Sequence, residues 1–299
     1  MISKLQQVLD EGKFAVTAEI SPPKSASCAT IRQKAQLLKD YVDAVNLTDN
    51  QTAIVRVSSF AASLACLQEG VEPIMQMTCR DRNRLAMQSD VLGAAAFGIR
   101  NVMCLSGDHQ VFGNQPQAKN VYDLDSIQQL LVFNKLRNEG QVWGGDALKE
   151  KPTLFLGAAA NPFADPFAFR VTRLAKKIAA GADFIQTQAV FDLERFRAFM
   201  EEVVTQGLDQ KVHILAGVMP LKSLAMARHM QNNVSGITLP PELLQRLEAA
   251  EDVPAEGLAI CRETIAELKK IKGVHGVHIM AIAWESMVPQ IIEDAGLRR

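Results

Sequence analysis

Eight short runs of apolar, β-favouring residues recur along the chain, with longer helical patterns between them: residues 14–20, 42–48, 73–78, 101–105, 153–159, 183–188, 212–217 and 276–282. Alternation of this kind from one end to the other is the pattern of a parallel sheet with helical crossovers. Many of the runs are continuously apolar, as strands buried on both faces are. No Pro/Ser-rich linker divides them, and a chain of 299 residues that is 48% hydrophobic has material for one large core. The expected fold is therefore α/β, a single (β/α)8 barrel over residues 1–299. The doubly wound sheet is the main competitor, but it carries a glycine-rich phosphate loop after its first strand. Here that place is taken by Ser21-Pro22-Pro23, whose prolines offer no N–H to a phosphate.

Punctuation between the runs agrees with helical crossovers. Asp125 is placed to cap a helix from Ser126 to Asn138, with Gly140 past its end, and Asp165-Pro166 offers an N-cap and a first-turn proline for the next helix. Two segments, 94–102 and 178–185, both pass from small residues through glycine into a strand, the αβ turn of a barrel used twice. Residues 109–120, rich in Gln, Asn and Gly and without periodicity, read as a long loop, and long loops in compact domains are often lids.

Charge and cysteine usage exclude several function classes. With 32 basic and 33 acidic side chains the net charge is -1, so no global field favours nucleic acid or an anionic membrane. The five cysteines form no C-x-x-C pair and no even framework, which points to a reducing compartment. No apolar run approaches the roughly 20 residues that span a bilayer, and no basic-then-apolar leader opens the chain. A soluble cytoplasmic protein acting on small molecules is expected, with a homo-oligomer left open.

In a parallel barrel all strands end at one mouth, so acids far apart in sequence share one pocket. Glu19 ends the first run and Asp108 follows the fourth. Each has two readings: a salt-bridged or turn acid, or a member of a catalytic pair in which Glu19 is a general acid. Other strand ends contribute Thr48 with Asp49-Asn50-Gln51, Gln76, Thr78, Ser106, Asn161, Gln188, and Trp284 with Glu285, a polar lining suited to a neutral or heterocyclic ligand. Arg170, Arg173, Lys176 and Lys177 share one helical segment that is either a solvated face or a phosphate attractor. His275 and His278 are three apart, but at the beginning of the last run, the wrong end for a metal pair. No metal site is expected.

In series, Ala18-Glu-Ile-Ser-Pro-Pro23, Asn46-Leu-Thr48, Met77-Thr-Cys79, Leu105-Ser-Gly-Asp108, Tyr122 with Asp125, Ala180-Gly-Ala-Asp183, Gln186-Thr-Gln-Ala-Val-Phe-Asp192 and Ala216-Gly-Val-Met-Pro220 resemble the methylenetetrahydrofolate reductase family, in family order over nearly the whole chain. The resemblance implies a flavin-binding (β/α)8 TIM barrel that reduces 5,10-methylenetetrahydrofolate to 5-methyltetrahydrofolate. It implies that Glu19 is the general acid, and that Asp108 anchors the folate and tunes the flavin. Gln188 and Met219 would contact substrate. Thr48, Gln76, Ser106, Gly107, Asp108, Tyr122, Asn161, Arg173, Lys176 and Lys177 would contact the flavin, FAD in the first instance and FMN in the second. Departures accompany the matches: the family's usual Arg-Gly-Asp reads Ser106-Gly-Asp108, its His-Pro reads Asn161-Pro162, and its Asn-Arg pair after the last strand reads Trp284-Glu285. That ending is more similar to reductases of acetogenic and related anaerobic bacteria. It implies electrons from NAD(P)H or from a small iron–sulfur or zinc-containing partner protein. Two competing functions stay open, a flavin-free pterin-binding methyltransferase barrel and a non-catalytic folate-binding subunit.

Overall fold

In a computed structural model, which describes residues 2–234 and 236–297, eight parallel strands close into a barrel in sequence order. They are β1 (Ala15–Ile20), β2 (Ala44–Leu47), β3 (Pro73–Thr78), β4 (Asn101–Leu105), β5 (Phe155–Ala160), β6 (Phe184–Ala189), β7 (His213–Val218) and β8 (Val274–Ile279), with β8 paired back to β1. The helices are α1 (Lys4–Asp10), α2 (Ala29–Leu38), α3 (Ser59–Gln68), α4 (Arg84–Ala96), α5 (Ser126–Asn138) and α6 (Phe169–Ala179). Then follow α7 (Leu193–Thr205), α8 (Leu224–Asn233), α9 (Pro241–Ala249), α10 (Val253–Leu268) and α11 (Val288–Asp294). None of the described helices is long and apolar enough to cross a membrane.

Side chains alternate across each strand, and the two faces have separate cores. Val16, Ala18 and Ile20 of β1 point outward into the large apolar cluster under the helices. Ala15 points inward, packing with Ala44, Ile74, Met103, Phe155, Phe184 and Leu215 at the bottom of the barrel. Helix α1 plugs that bottom with Leu5, Val8 and Leu9. The inward parity continues upward through Thr17 to Glu19, which is how an acid arrives at the opposite rim.

Local signals act largely as the sequence suggests. Asp125 caps α5 through a full capping box with Gln128. Gly181, in the second of the two glycine turns, has φ +108°, and a Cβ there would stand 2.5 Å from Asn134. The Asp165-Pro166 expectation fails. Helix α6 starts at Phe169 with Ala168 at its boundary, because residues 166–169 form a turn of their own, closed by the Phe169 N–H on the Pro166 carbonyl at 3.1 Å, and the exposed Asp165 carboxylate meets Arg195 of α7 at 2.9 Å. Strand β8 lies earlier than the run at 276–282 indicates. It spans Val274–Ile279, and the apolar residues beyond it belong to a turn in which Ala283 has φ +52°.

Candidate active site

The C-terminal rim gathers the groups that chemistry requires. Glu19, whose side chain is 19% exposed, accepts a hydrogen bond at Oε2 from Gln76 Nε2 at 3.4 Å. The same oxygen lies 3.8 Å from His278 Nε2. Gln76 also lines a cavity of about 240 Å3 with Gln51, Thr78, Ser106, Gly107 and Asp108, so one amide links Glu19 to the part of the rim that holds Asp108. Thr48, buried just below, donates to Gln51 Oε1 at 2.6 Å.

Asp108 reaches the cavity because the chain reverses at Gly107. That residue has φ +86°, and a Cβ would stand 2.9 Å from Thr78 Cβ, so only glycine fits both the backbone and the space. The Asp108 carboxylate takes the N–H of Thr52 at 2.8 Å, and Tyr122 donates its phenol proton to the Gly107 carbonyl at 3.4 Å. Below runs Arg80, buried, pairing with Asp81 at 2.7 Å and donating to the carbonyls of Asp108 at 3.0 Å and Asn50 at 3.3 Å. Thus a guanidinium from the segment just after β3 lies under the loop where the family's Arg-Gly-Asp cation is replaced by Ser106. Beside it, the fully buried Asp49 carboxylate is held by Arg82 at 2.7 Å and by the Thr78 N–H and hydroxyl at 2.9 and 3.0 Å. The charged run Arg80-Asp-Arg82 directly after an apolar strand was the available sequence signal for this rim, beyond the Met77-Thr-Cys79 match.

Across the mouth a second cavity, about 150 Å3, is lined by Asn161, Arg170, Arg173, Lys177 and Gln188. Lys177 is only 7% exposed and donates to the Ala159 carbonyl. Burial pushes its ammonium down to about 8, and the neighbouring Arg173 charge adds to the effect. Three cations around a small cavity form a site short of negative charge. Lys176 is not part of it, being exposed with its Nζ 5.7 Å from the Phe169 ring centroid. Met219 is also apart, buried in an apolar cluster with Phe191 and Leu221.

The depressed lysine makes a stability prediction. Below pH 8 Lys177 is charged in both folded and unfolded chains, and the folded state carries the penalty. As pH rises from 8 to 10.5 the folded chain is neutral there first, so the penalty is relieved and stability increases. Lys177→Met is expected to flatten that increase, worth about 3 kcal/mol from the shift between 10.5 and about 8. Urea unfolding of both proteins without bound ligand at pH 7 and pH 10 measures it.

Two expectations about the last strand are corrected. His278 is not at the wrong end. It is the penultimate residue of β8, buried inside the barrel beside Glu19, whereas His275 does lie at the bottom, 5.2 Å from the His213 ring. Glu285 does not line the mouth, because it is buried in an ion pair with Lys34 of α2 at 2.5 Å. Among the described residues no group of three His, Cys, Asp or Glu side chains is placed to hold a metal ion. Larger cavities exist elsewhere, about 600 Å3 beside α7 and α10 and about 620 Å3 at the barrel bottom. Neither lies at the end of the barrel where parallel strands present reactive groups.

The profile of the methylenetetrahydrofolate reductase family matches residues 4–296. The chain belongs to the methylenetetrahydrofolate reductase family. It is 24% identical to the 5,10-methylenetetrahydrofolate reductase of Escherichia coli, over 96% of this chain and 93% of that one. It is 22% identical to a probable methylenetetrahydrofolate reductase (NADPH) of Caenorhabditis elegans, over 98% of this chain but 44% of that protein. The chain thus spans under half the length of that relative, and 48% of a Schizosaccharomyces pombe one. Among solved structures, a Clostridium thermocellum protein described as binding two copies of 5-methyl-5,6,7,8-tetrahydrofolic acid shares the fold, with a TM-score of 0.71 at 16% identity over 98% of this chain and 99% of that one.

Proposed function

We propose that this member of the family reduces 5,10-methylenetetrahydrofolate to 5-methyltetrahydrofolate with a bound flavin, and that Glu19 is the general acid. The observation that carries the reading is the convergence of Glu19, Gln76 and Asp108 on one rim, from three strands widely separated in sequence. Both contacts to Glu19 fall on Oε2, which leaves Oε1 to carry the transferable proton.

The donor set fits a flavin nucleotide. One side of the mouth offers the Ser106, Gln51 and Gln76 side chains to a heterocycle that both donates and accepts hydrogen bonds. The other side offers Arg170, Arg173 and Lys177, with Lys177 destabilised as a cation until an anion such as a phosphate reaches it. When bound and reduced, the flavin supplies the hydride.

The chain's own residues supply the rest. Glu19 delivers a proton to N10 of the substrate, the bond from N10 to the bridging carbon breaks with its electron pair left on N10, and that carbon becomes an iminium able to accept hydride. Proton and hydride together balance the reduction. Asp108, fixed by the Thr52 N–H, holds negative charge at the rim and disfavours a second negative charge beside it. Gln188, which lines the cavity opposite, would hydrogen-bond the pterin.

Purification followed by a visible spectrum, mass identification of the released chromophore and anaerobic addition of 5-methyltetrahydrofolate tests this reading. A yellow protein that bleaches is expected. A colourless chain that takes up neither FAD nor FMN overturns it, as does a flavoprotein that does not bleach. Lys177→Met is expected to weaken flavin retention by roughly ten- to a hundredfold, the worth of one hydrogen bond to a charged group. Equilibrium titration of the stripped protein with each flavin gives that ratio and shows which of the two is preferred. Adding NADH, NADPH or a reduced iron–sulfur protein to the oxidised protein then identifies the electron donor.

A further inference from the structure

We propose that His278 is the positioning residue for Glu19 and that a buried polar layer sets its tautomer. The inference rests on Glu19 being the acid. Barrel interiors are filled by layers of apolar side chains, and the bottom layer here follows that rule. The next layer breaks it: Thr17, Asn46, Gln186 and His278 are all buried, none more than 3% exposed. Polar groups withdrawn from water are costly unless each is paired, and here they are. Asn46 Nδ2 donates to Gln186 Oε1 at 2.5 Å, and Gln186 Nε2 donates back to Asn46 Oδ1 at 3.0 Å. The second Asn46 amide hydrogen faces the Met103 sulfur at 3.5 Å, a weak acceptor that would repel a carbonyl oxygen, so the pair has one orientation.

Counting hydrogens then fixes the ring. The remaining Gln186 Nε2 hydrogen goes to Thr17 Oγ1 at 3.2 Å. The single Thr17 hydroxyl proton goes to its nearer acceptor, His278 Nδ1 at 3.0 Å, over the Val277 carbonyl at 3.4 Å. An imidazole that accepts at Nδ1 carries its own hydrogen on Nε2, the atom 3.8 Å from Glu19 Oε2. That separation is longer than a hydrogen bond, and such contacts tighten when charge develops. As Glu19 gives its Oε1 proton to N10, the negative charge spreads over both carboxylate oxygens, and His278 Nε2–H and Gln76 Nε2–H converge on the share that falls on Oε2. His278 itself neither gains nor loses a proton.

Two amide replacements separate this role from simple packing. A glutamine places its amide near the ring's Nε2, whereas an asparagine places it near Nδ1. In the full chain loaded with flavin and reduced with dithionite, His278→Asn is expected to lower kcat for 5,10-methylenetetrahydrofolate reduction about a hundredfold with KM nearly unchanged, while His278→Gln recovers most of the loss. Retention by Asn and loss by Gln would mean that the ring only anchors Thr17, and would overturn the proposal. In a Glu19→Gln background His278→Asn should add little further loss, and a full additive loss also overturns it. Thr17→Val, which removes the Nδ1 partner but not the ring, gives the same kcat signature in smaller measure, and serves if His278→Asn does not fold. A wild-type chain with flavin but without turnover would remove the functional reading and this inference together. Wild-type turnover with unaffected His278 variants removes the inference alone.

Discussion

Glu19→Gln is expected to lower turnover by about 10²–10⁴, the contribution of a positioned proton donor. The replacement keeps the shape and polarity of the side chain and can still meet Gln76 Nε2 through its oxygen, so the rim is preserved while the acidic proton is lost. Because the substrate amine must be protonated before the carbon can accept hydride, the loss should fall on kcat and leave folate binding nearly intact. Stopped-flow bleaching of the flavin by 5-methyltetrahydrofolate measures it in the reverse direction, where the same carboxylate removes the proton from N10. A variant that bleaches at the wild-type rate, with equal flavin content and thermal midpoint, would show that the proton comes from elsewhere.

What was legible in the sequence depended on how local the signal was. Strands β3 and β4 run over the very residues of their apolar runs, and the Asp125 cap with its Gln128 partner is complete within four residues. Glu19 and Asp108 were visible because each is a charge at the end of an apolar run. The polar layer was not, since in strands buried on both faces the apolar run gives no parity, and only the closed register reveals that Thr17 stands opposite His278. The Asn46–Gln186 pair joins β2 to β6 across the barrel, 140 residues apart, and no spacing rule relates them. His278 was misplaced for a further reason. Ile279, Ala281 and Ile282 extend the apolar run, yet the strand ends at Ile279 and Ile282 is exposed. Hydrophobicity there marks the rim of the barrel rather than the continuation of the strand.

Arg82→Met is expected to destabilise the protein by about 3–5 kcal/mol, because it strands a buried carboxylate. Asp49 has no side-chain exposure, and without the Arg82 guanidinium its hydrogen-bond donors among the described residues are the two neutral ones of Thr78, with the Arg80 charge further off. The same number of ion pairs elsewhere should matter far less. Arg82 bridges Asp49 and, at 3.0 Å, the partly exposed Asp90; Arg246 likewise holds two carboxylates, Glu256 and Glu263, but its side chain is 40% exposed, and Arg246→Met should cost no more than about 1 kcal/mol. The contrast isolates burial from pair counting. It also reaches the site, since Asp49 ties the end of β2 to β3 and is followed at once by the segment whose Thr52 N–H holds Asp108. Loss of Arg82 should therefore loosen the rim proposed to hold the flavin before the barrel as a whole unfolds, and in flavin-loaded protein chromophore release should precede loss of helical signal on heating. Asp49→Asn placed on Arg82→Met removes the unpaired charge and should recover part of the stability, by a coupling energy that neither single change shows. Denaturant unfolding of the four proteins closes that cycle, and equal costs for Arg82→Met and Arg246→Met would refute the role of burial.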